Sequence, residues 1–182
     1  MNNLINISKE WKFKADKIID EKDLVKTLSA FGSIEFTGSY FYDLMMHGDV
    51  DIMVFKEKSF SKEEVFEIFK VLYFGDKFKS CFIKGDWDDI RIGNEFPNGH
   101  YIGLKDKVDG EKWKFDLWFV NEDEFEKRNN NLNLKNISEE QKEFILVCKK
   151  YRNENGLKVS SQEIYNNVLN CVWKMVDDMR NI

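Results

Sequence analysis

The chain has 182 residues, 42% of them hydrophobic, and a formal net charge of −5, which is the size and composition of one domain with a packed core. This acidic balance argues against a protein that binds long nucleic acid, because affinity for the phosphate backbone comes from clustered lysine and arginine. The three cysteines are widely spaced and favour neither a disulfide framework nor a zinc site. Since no secretory signal and no run of 18 apolar residues are found, we expect a cytoplasmic protein with no membrane partner.

The beginning of the chain predicts helix followed by strand. Residues 8–31 carry apolar side chains at helical spacing, which predicts one or two helices lying against a sheet. The predicted apolar face consists of Phe13, Ala15, Ile18, Ile19, Leu24, Val25 and Leu28. Residues 33–37 and 51–55 are short and apolar, and each predicts a strand.

Two acidic residues open the second of these strands. Gly38 and Ser39 are followed, after nine further residues, by Asp49 and Asp51 with a valine between them. Because side chains alternate along a strand, both carboxylates point to one face, roughly 6 to 7 Å apart. Aspartate is depleted in strands, and Mg²⁺ prefers carboxylate oxygens. The pattern therefore predicts a metal site for phosphoryl chemistry.

The middle of the chain predicts a helix, two short strands and a hairpin. Ser61 and Glu64 have the spacing of a capping box at the start of a helix that ends at Gly75. Residues 78–83 and 90–94 read as short strands. Asp109-Gly110 predicts the turn of a hairpin with arms at residues 100–108 and 111–120.

A third acidic residue lies within the second arm of this hairpin. Residues 112–120 read KWKFDLWFV, so that four apolar side chains share one face while Asp116 and Trp118 share the other. An aspartate inside such a strand is unfavourable unless it is paired or bound to metal. A salt bridge to a nearby lysine or arginine is the alternative explanation.

The stretch TGSYFYDLMMHGDVDIMVF resembles the motif of the nucleotidyltransferase superfamily, the DNA polymerase β-like group. The resemblance implies an α+β protein with the nucleotidyltransferase fold, a mixed sheet backed by helices and a C-terminal helical segment. It implies that Gly38 and Ser39 bind the triphosphate at a helix N-terminus. It further implies that Asp49, Asp51 and Asp116 are both the catalytic residues and the ligands of Mg²⁺ or Mn²⁺, with Asp116 able to accept a proton from the attacking hydroxyl.

The activity that the resemblance implies is the transfer of an NMP group from an NTP to an acceptor hydroxyl, with release of pyrophosphate. The acceptor is a small molecule, a protein or an RNA end, and the sequence does not choose among them. The alternative is a non-catalytic nucleotide-binding or toxin–antitoxin-type interaction protein with the same fold. A triphosphate also needs basic partners, and the candidates nearest the predicted cleft are Lys84, Arg91, Lys105 and Lys114.

The last part of the chain predicts helices. We expect a catalytic core over residues 1–128 and a C-terminal helical segment over residues 129–182 that packs on it, joined by a loop at the three asparagines 129–131. One helix is expected from residue 138 to about residue 155 and another over residues 160–179. The apolar stripe of the latter is Ile164, Val168, Cys171, Met175 and Met179. Since the segment is too short for a full helical bundle, it predicts a homodimer through these helices.

Overall fold

The computed structural model describes residues 3–84, 96–131 and 137–181. Its described residues form an α+β structure in which five strands make one sheet of order β1-β2-β5-β4-β3. The strands are Ser33–Thr37 (β1), Gly48–Lys56 (β2), Ser80–Lys84 (β3), His100–Val108 (β4) and Glu111–Asn121 (β5). The sheet is mixed, because β2 and β5 run parallel while the other neighbours run antiparallel.

Seven α-helices and a 3₁₀ helix accompany the sheet in the described ranges. They are Asn3–Glu21 (α1), Leu24–Ser29 (α2), Gly38–Phe41 (α3), Lys62–Phe74 (α4), Glu122–Asn131 (α5), Glu139–Asn155 (α6), Ser161–Leu169 (α7) and the 3₁₀ helix Val176–Asn181. None of these helices is both long and apolar enough to cross a membrane.

The main core lies between one face of the sheet and helices α1, α2 and α4. Each helix contributes fully or almost fully buried aliphatic side chains, such as Ile18, Leu28 and Ile68. They meet the inward-facing residues of the central strands, which include Val50 and Phe115, both fully buried. Burial of this face fixes the register of the strands, because a slip by one residue would turn every apolar side chain to the other face.

The opposite face of the sheet is partly covered by α5. The ring of Phe125 stacks on that of Phe55 at 3.9 Å between centroids, near the end of β2. Met53, Tyr101, Trp118 and Val120 complete a small buried cluster there. Helix α5 therefore closes the far end of this face.

Local sequence signals account for several element ends, and these predictions are confirmed. The Ser61 side chain accepts a hydrogen bond from the amide of Glu64, whose carboxylate accepts one from the amide of Ser61. The predicted hairpin turns at Asp109 and Gly110, with φ of 51° and 83°, as a two-residue turn between twisted strands requires. Gly156 ends α6 in the left-handed conformation.

A second core holds the C-terminal helices. Apolar residues of α6 and α7, among them Leu146 and Ile164, pack around Tyr42 and Leu44 from the segment between α3 and β2. The homodimer stays a prediction. The predicted helix over residues 160–179 is wrong beyond Leu169, because Cys171 adopts a left-handed φ of 56° and a separate 3₁₀ helix follows. As a consequence Cys171 and Met175 are exposed, not buried.

Other expectations need correction. The asparagines 129–131 belong to α5 and do not form the predicted loop; this helix begins where the side chain of Asn121 accepts a hydrogen bond from the amide of Glu124. In the predicted apolar face of the first helices, Phe13 and Val25 are exposed by 72% and 38%. The strand predicted at residues 78–83 spans Ser80–Lys84, and the one predicted at residues 90–94 lies outside the described residues, as does Arg91.

Candidate active site

The sheet places the three predicted carboxylates on one face. In the parallel pair of β2 and β5, Asp51 lies opposite Asp116 and Asp49 lies opposite Lys114. The residues between them, such as Val50 and Phe115, are fully buried in the main core, so these four side chains project from the opposite face. The predicted site residues from two distant segments of sequence therefore meet at neighbouring strands.

The Gly-Ser bend lies against the same carboxylates. Gly38 has a φ of 62°, which favours glycine, and it opens the single turn α3. A Cβ atom at this position would overlap the Oδ2 atom of Asp51. The side chain of Thr37, at the N-cap of α3, accepts no capping hydrogen bond from the first amides of the turn. Gly38 thus borders the acidic site, and Ser39 follows it in the same helical turn. Their role in binding a triphosphate stays a prediction.

Asp116 is fully engaged in the described structure. The Tyr101 hydroxyl donates a hydrogen bond of 2.5 Å to its Oδ1 atom, and the Lys114 ammonium donates one of 2.5 Å to its Oδ2 atom. Burial raises the pKa of Asp116; the two donors lower it, the nearby charge of Asp49 raises it further, and the net shift is upward. The salt bridge considered as the alternative for this residue is therefore present, with Lys114 as the partner.

In the described structure, Asp49 lacks a partner for one buried oxygen, and Asp51 has a raised pKa. The Oδ1 atom of Asp49 is buried and finds no hydrogen-bond donor among the described residues, and the closest ammonium, that of Lys114, is 3.8 Å away. Burial, followed by the charges of Asp49 and Asp116, raises the pKa of Asp51 to about 7. The site therefore concentrates more negative charge than its neighbours neutralise.

The pKa of Asp49 moves the other way. Burial raises it, but this effect is outweighed by the His47 ring, whose Nε2 atom lies 3.8 Å from Oδ2, and by the charges of Lys114 and Lys149. The net shift is downward, so Asp49 is ionised at neutral pH. Two neighbouring carboxylates of one strand thus differ in their tendency to hold a proton.

The residue that sequence reasoning missed is Lys149 on α6. Its side chain is 1% exposed, and its Nζ atom donates hydrogen bonds to the Leu44 carbonyl at 2.7 Å and to the Tyr165 hydroxyl at 3.1 Å. Burial, then the charge of Arg152, lowers the pKa of Lys149 to about 7, while the charges of Asp49 and Asp51 act to raise it. A lysine at an apolar position of an amphipathic helix, four residues after the buried Ile145, was the available signal.

The other predicted basic residues take different positions. Lys114 lies within the site, whereas Lys105 is exposed on β4 opposite Lys114, with its Nζ atom 5.3 Å from the centroid of the Phe82 ring. Lys84 is exposed at the end of β3. The structure thus brings Lys114, of the described candidates, into contact with the carboxylates.

A metal ion would meet a partly suitable set of donors. In the described ranges, no group of three or more His, Cys, Asp or Glu side chains is arranged to hold one. The ammonium of Lys114 lies between Asp49 and Asp116 and takes up oxygens that a shared ion would need. Asp49, in contrast, offers one buried carboxylate oxygen that finds no hydrogen-bond donor among the described residues, and Asp51 lies two residues away on the same face of β2. Carboxylate oxygens are ligands that suit Mg²⁺ or Mn²⁺. The donor set fits a divalent cation provided that Lys114 moves aside.

Comparison of the chain with protein-family models and with curated proteins found no match. Function must therefore be inferred from the chemistry of these residues. A compact cluster of carboxylates, a glycine bend at its edge and two lysines of different burial form a site suited to a ligand that carries both phosphate and a divalent cation.

Proposed function

We propose that the protein is a metal-dependent nucleotidyltransferase, which moves an NMP group from an NTP to the hydroxyl of an acceptor and releases pyrophosphate. The observation that supports this most strongly is the alignment of Asp51 with Asp116 on adjacent parallel strands, beside the backbone of Gly38. A structural role alone gives no reason to place three carboxylates together on one sheet face.

The proposal includes the nucleotidyltransferase fold for the α+β structure. Two features support it. The strand that carries Asp49 and Asp51 follows directly on the Gly-Ser bend and its single helical turn, and Asp116 lies in the middle of the neighbouring strand. Helices α1, α2 and α4 pack on the opposite face of the sheet, α5 packs near the end of β2, and Lys114 on the acidic face is 42% exposed.

Each residue of the site has a role in the proposed reaction. The amides of Gly38 and Ser39 bind the β and γ phosphates. The acceptor oxygen forms a bond to the α phosphorus while the bond from that phosphorus to the bridging oxygen breaks, so that pyrophosphate leaves with the bonding electron pair. The carboxylate of Asp116 accepts the proton of the acceptor hydroxyl. Asp49, Asp51 and Asp116 would hold Mg²⁺ or Mn²⁺, which would neutralise part of the phosphate charge.

Pyrophosphate release tests the proposal. Each of the four NTPs is incubated with Mg²⁺ or Mn²⁺ and a panel of acceptors that includes small hydroxyl compounds, proteins and RNA ends. Release should fall at least about a hundredfold in Asp51→Asn, because this change removes a metal-binding oxygen without a change in shape. Asp20→Asn, a change of an exposed aspartate on α1, is the matched control. Release that is unaffected by Asp51→Asn would refute the assigned site.

One observation favours the non-catalytic alternative. Both oxygens of Asp116 are already engaged, by Lys114 and Tyr101, in a protein without ligands. Titration calorimetry that finds cation-dependent NTP binding, in a protein that releases no pyrophosphate with any acceptor of the panel, would favour a nucleotide-binding module over an enzyme.

A further inference from the structure

The position of Lys114 relative to two carboxylates suggests more than a structural ion pair. Its Nζ atom is 2.5 Å from Oδ2 of Asp116 and 3.8 Å from Oδ1 of Asp49, so that one ammonium group bridges two neighbouring strands. The Oδ1 atom of Asp49 is a buried oxygen that finds no hydrogen-bond donor in the described part of the chain. Lys114 is thus the nearest described positive charge to an oxygen that needs one.

This ion pair is easily opened. The side chain of Lys114 is 42% exposed, and a lysine reaches its position through a flexible four-carbon stem. The ammonium can therefore move into solvent by rotation of its stem, while the Asp116 side chain, which is 13% exposed, stays on the sheet face. A stronger cation would therefore compete successfully for the same oxygens.

Removal of the ammonium would leave Asp116 oriented. The Tyr101 hydroxyl holds Oδ1 of Asp116 from β4, independently of Lys114. When Lys114 leaves, Oδ2 of Asp116 loses its ammonium partner, and Oδ1 of Asp49 no longer has an ammonium nearby. One carboxylate oxygen on each of two adjacent strands then becomes available. The freed lysine remains on the face of the sheet that carries Asp49 and Asp51.

We propose that Lys114 is a displaceable internal cation: it occupies the acidic site in the absence of nucleotide, yields the Asp49 and Asp116 oxygens to a divalent cation, and then binds the phosphates of the NTP. Only the second half of this inference, the binding of Lys114 to the phosphates of the NTP, rests on the proposed function. Lys114 thereby weakens the binding of a divalent cation when no nucleotide is present and strengthens it when an NTP is bound. Binding of the cation and binding of the NTP are thus linked.

Binding of Mn²⁺ to the protein without nucleotide tests the first half. Free Mn²⁺ is measured by electron paramagnetic resonance during titration of the wild type, Lys114→Met and Lys112→Met. The control residue Lys112 is exposed on the same strand and the same face, two positions farther from Asp116. We expect Lys114→Met to bind Mn²⁺ about three- to tenfold more tightly than the wild type, because the competing charge is gone, and Lys112→Met to bind it within about twofold of the wild type.

The opposite effect is expected with nucleotide. In the presence of saturating Mn²⁺, the dissociation constant for ATP should rise about tenfold in Lys114→Met, since a charged partner of the phosphates is lost. Lys114→Gln provides a second neutral variant, and circular dichroism confirms that each variant is folded. Mn²⁺ affinity that is unchanged or weaker in both neutral variants overturns the inference.

Failure of this inference is distinguishable from failure of the proposed function. If no acceptor supports pyrophosphate release but the Mn²⁺ affinity rises in Lys114→Met, the exchange of lysine for a cation stands and transferase activity does not. If transfer is observed and depends on Asp51, while Mn²⁺ affinity is the same in Lys114→Met and the wild type, the transferase stands and the displaceable cation is rejected.

Discussion

The backbone of Gly38 lies against the carboxylate of Asp51, so closely that a Cβ atom at position 38 would overlap Oδ2 of the aspartate. The left-handed φ of 62° at Gly38 brings this approach about, because it turns the chain from β1 into α3 directly beside β2. A side chain at this position would therefore be unfavourable for two separate reasons, one in the backbone and one in the site.

Gly38→Ala separates these two effects when it is compared with Gly156→Ala. Gly156 has nearly the same φ, 63°, but nothing lies within 4 Å of a Cβ atom built there. Gly156→Ala should lower the free energy of unfolding by about 1 kcal/mol, the cost of the left-handed conformation. Gly38→Ala should lower it by about 2 kcal/mol or more, because Asp51 must also move. Urea unfolding measures both, and equal losses would show that the approach to Asp51 is not tight.

Asp51→Asn should stabilise the protein at high pH when no divalent cation is present. The pKa of Asp51 is raised from 3.8 to about 7, chiefly by burial and then by the charges of Asp49 and Asp116. The stability that its protonated form contributes is complete below pH 4 and is lost as the pH rises through 7. The variant should therefore match the wild type near pH 4 and exceed it by on the order of 2 kcal/mol at pH 8.

The measurement is urea unfolding at the two pH values, with Asp20→Asn as the exposed control. Addition of Mg²⁺ at pH 8 should narrow the gap between Asp51→Asn and the wild type, because the cation compensates the charge that the wild type alone carries. A gap that is the same at pH 4 and pH 8 would contradict the raised pKa.

The carboxylate cluster could be predicted from sequence because short-range rules fix each part of it. Alternation along a strand places Asp49 and Asp51 on one face, and the Asp109-Gly110 turn sets the register of the arm that carries Asp116. The apolar residues that alternate with these carboxylates must face the core, and the carboxylates therefore lie on the opposite face of the sheet. The adjacency of β2 and β5, which lie about 60 residues apart in sequence, was expected only from the resemblance.

Features that depend on long-range packing could not be predicted in the same way. Lys149 acts electrostatically on Asp49 and Asp51 because α6 docks on the segment that contains Leu44, and helical periodicity does not specify that docking partner. The end of α7 was missed because the apolar stripe continues in sequence, whereas the left-handed Cys171 turns the chain after Leu169. The preference of Lys114 for Asp116 over solvent likewise depends on the pairing of two strands.

Lys149→Met should remove a pH dependence that the wild type shows in the alkaline range. Burial, followed by the charge of Arg152, lowers the pKa of Lys149 from 10.5 to about 7 in the folded protein. Between these values the unfolded chain binds the proton more tightly, so folding is increasingly favoured as the pH rises. The free energy of unfolding of the wild type minus that of the variant should therefore increase by more than about 1 kcal/mol between pH 7 and pH 10.

Lys150→Met is the matched control for this prediction, because Lys150 is exposed and follows Lys149 directly within α6. At neutral pH, Lys149→Met should also raise the sensitivity of the segment between α3 and β2 to proteolysis, since the Leu44 carbonyl loses its buried donor. A flat difference between wild type and Lys149→Met from pH 7 to pH 10 would show that Lys149 is not unusually acidic.

Tyr101→Phe should slow the proposed transfer with little effect on the affinity for NTP. The Tyr101 hydroxyl donates to Oδ1 of Asp116, and its own pKa is raised by burial and then by this carboxylate, so it remains a donor at neutral pH. Its loss frees Asp116 to rotate away from the acceptor proton. We expect kcat to fall about tenfold, which corresponds to the loss of one charge-assisted hydrogen bond, while KM for NTP changes by less than about twofold. Tyr73→Phe, in which an exposed hydroxyl on α4 is removed, should leave both constants unchanged. A rise in KM with constant kcat would instead indicate that Tyr101 contacts the nucleotide and does not orient Asp116.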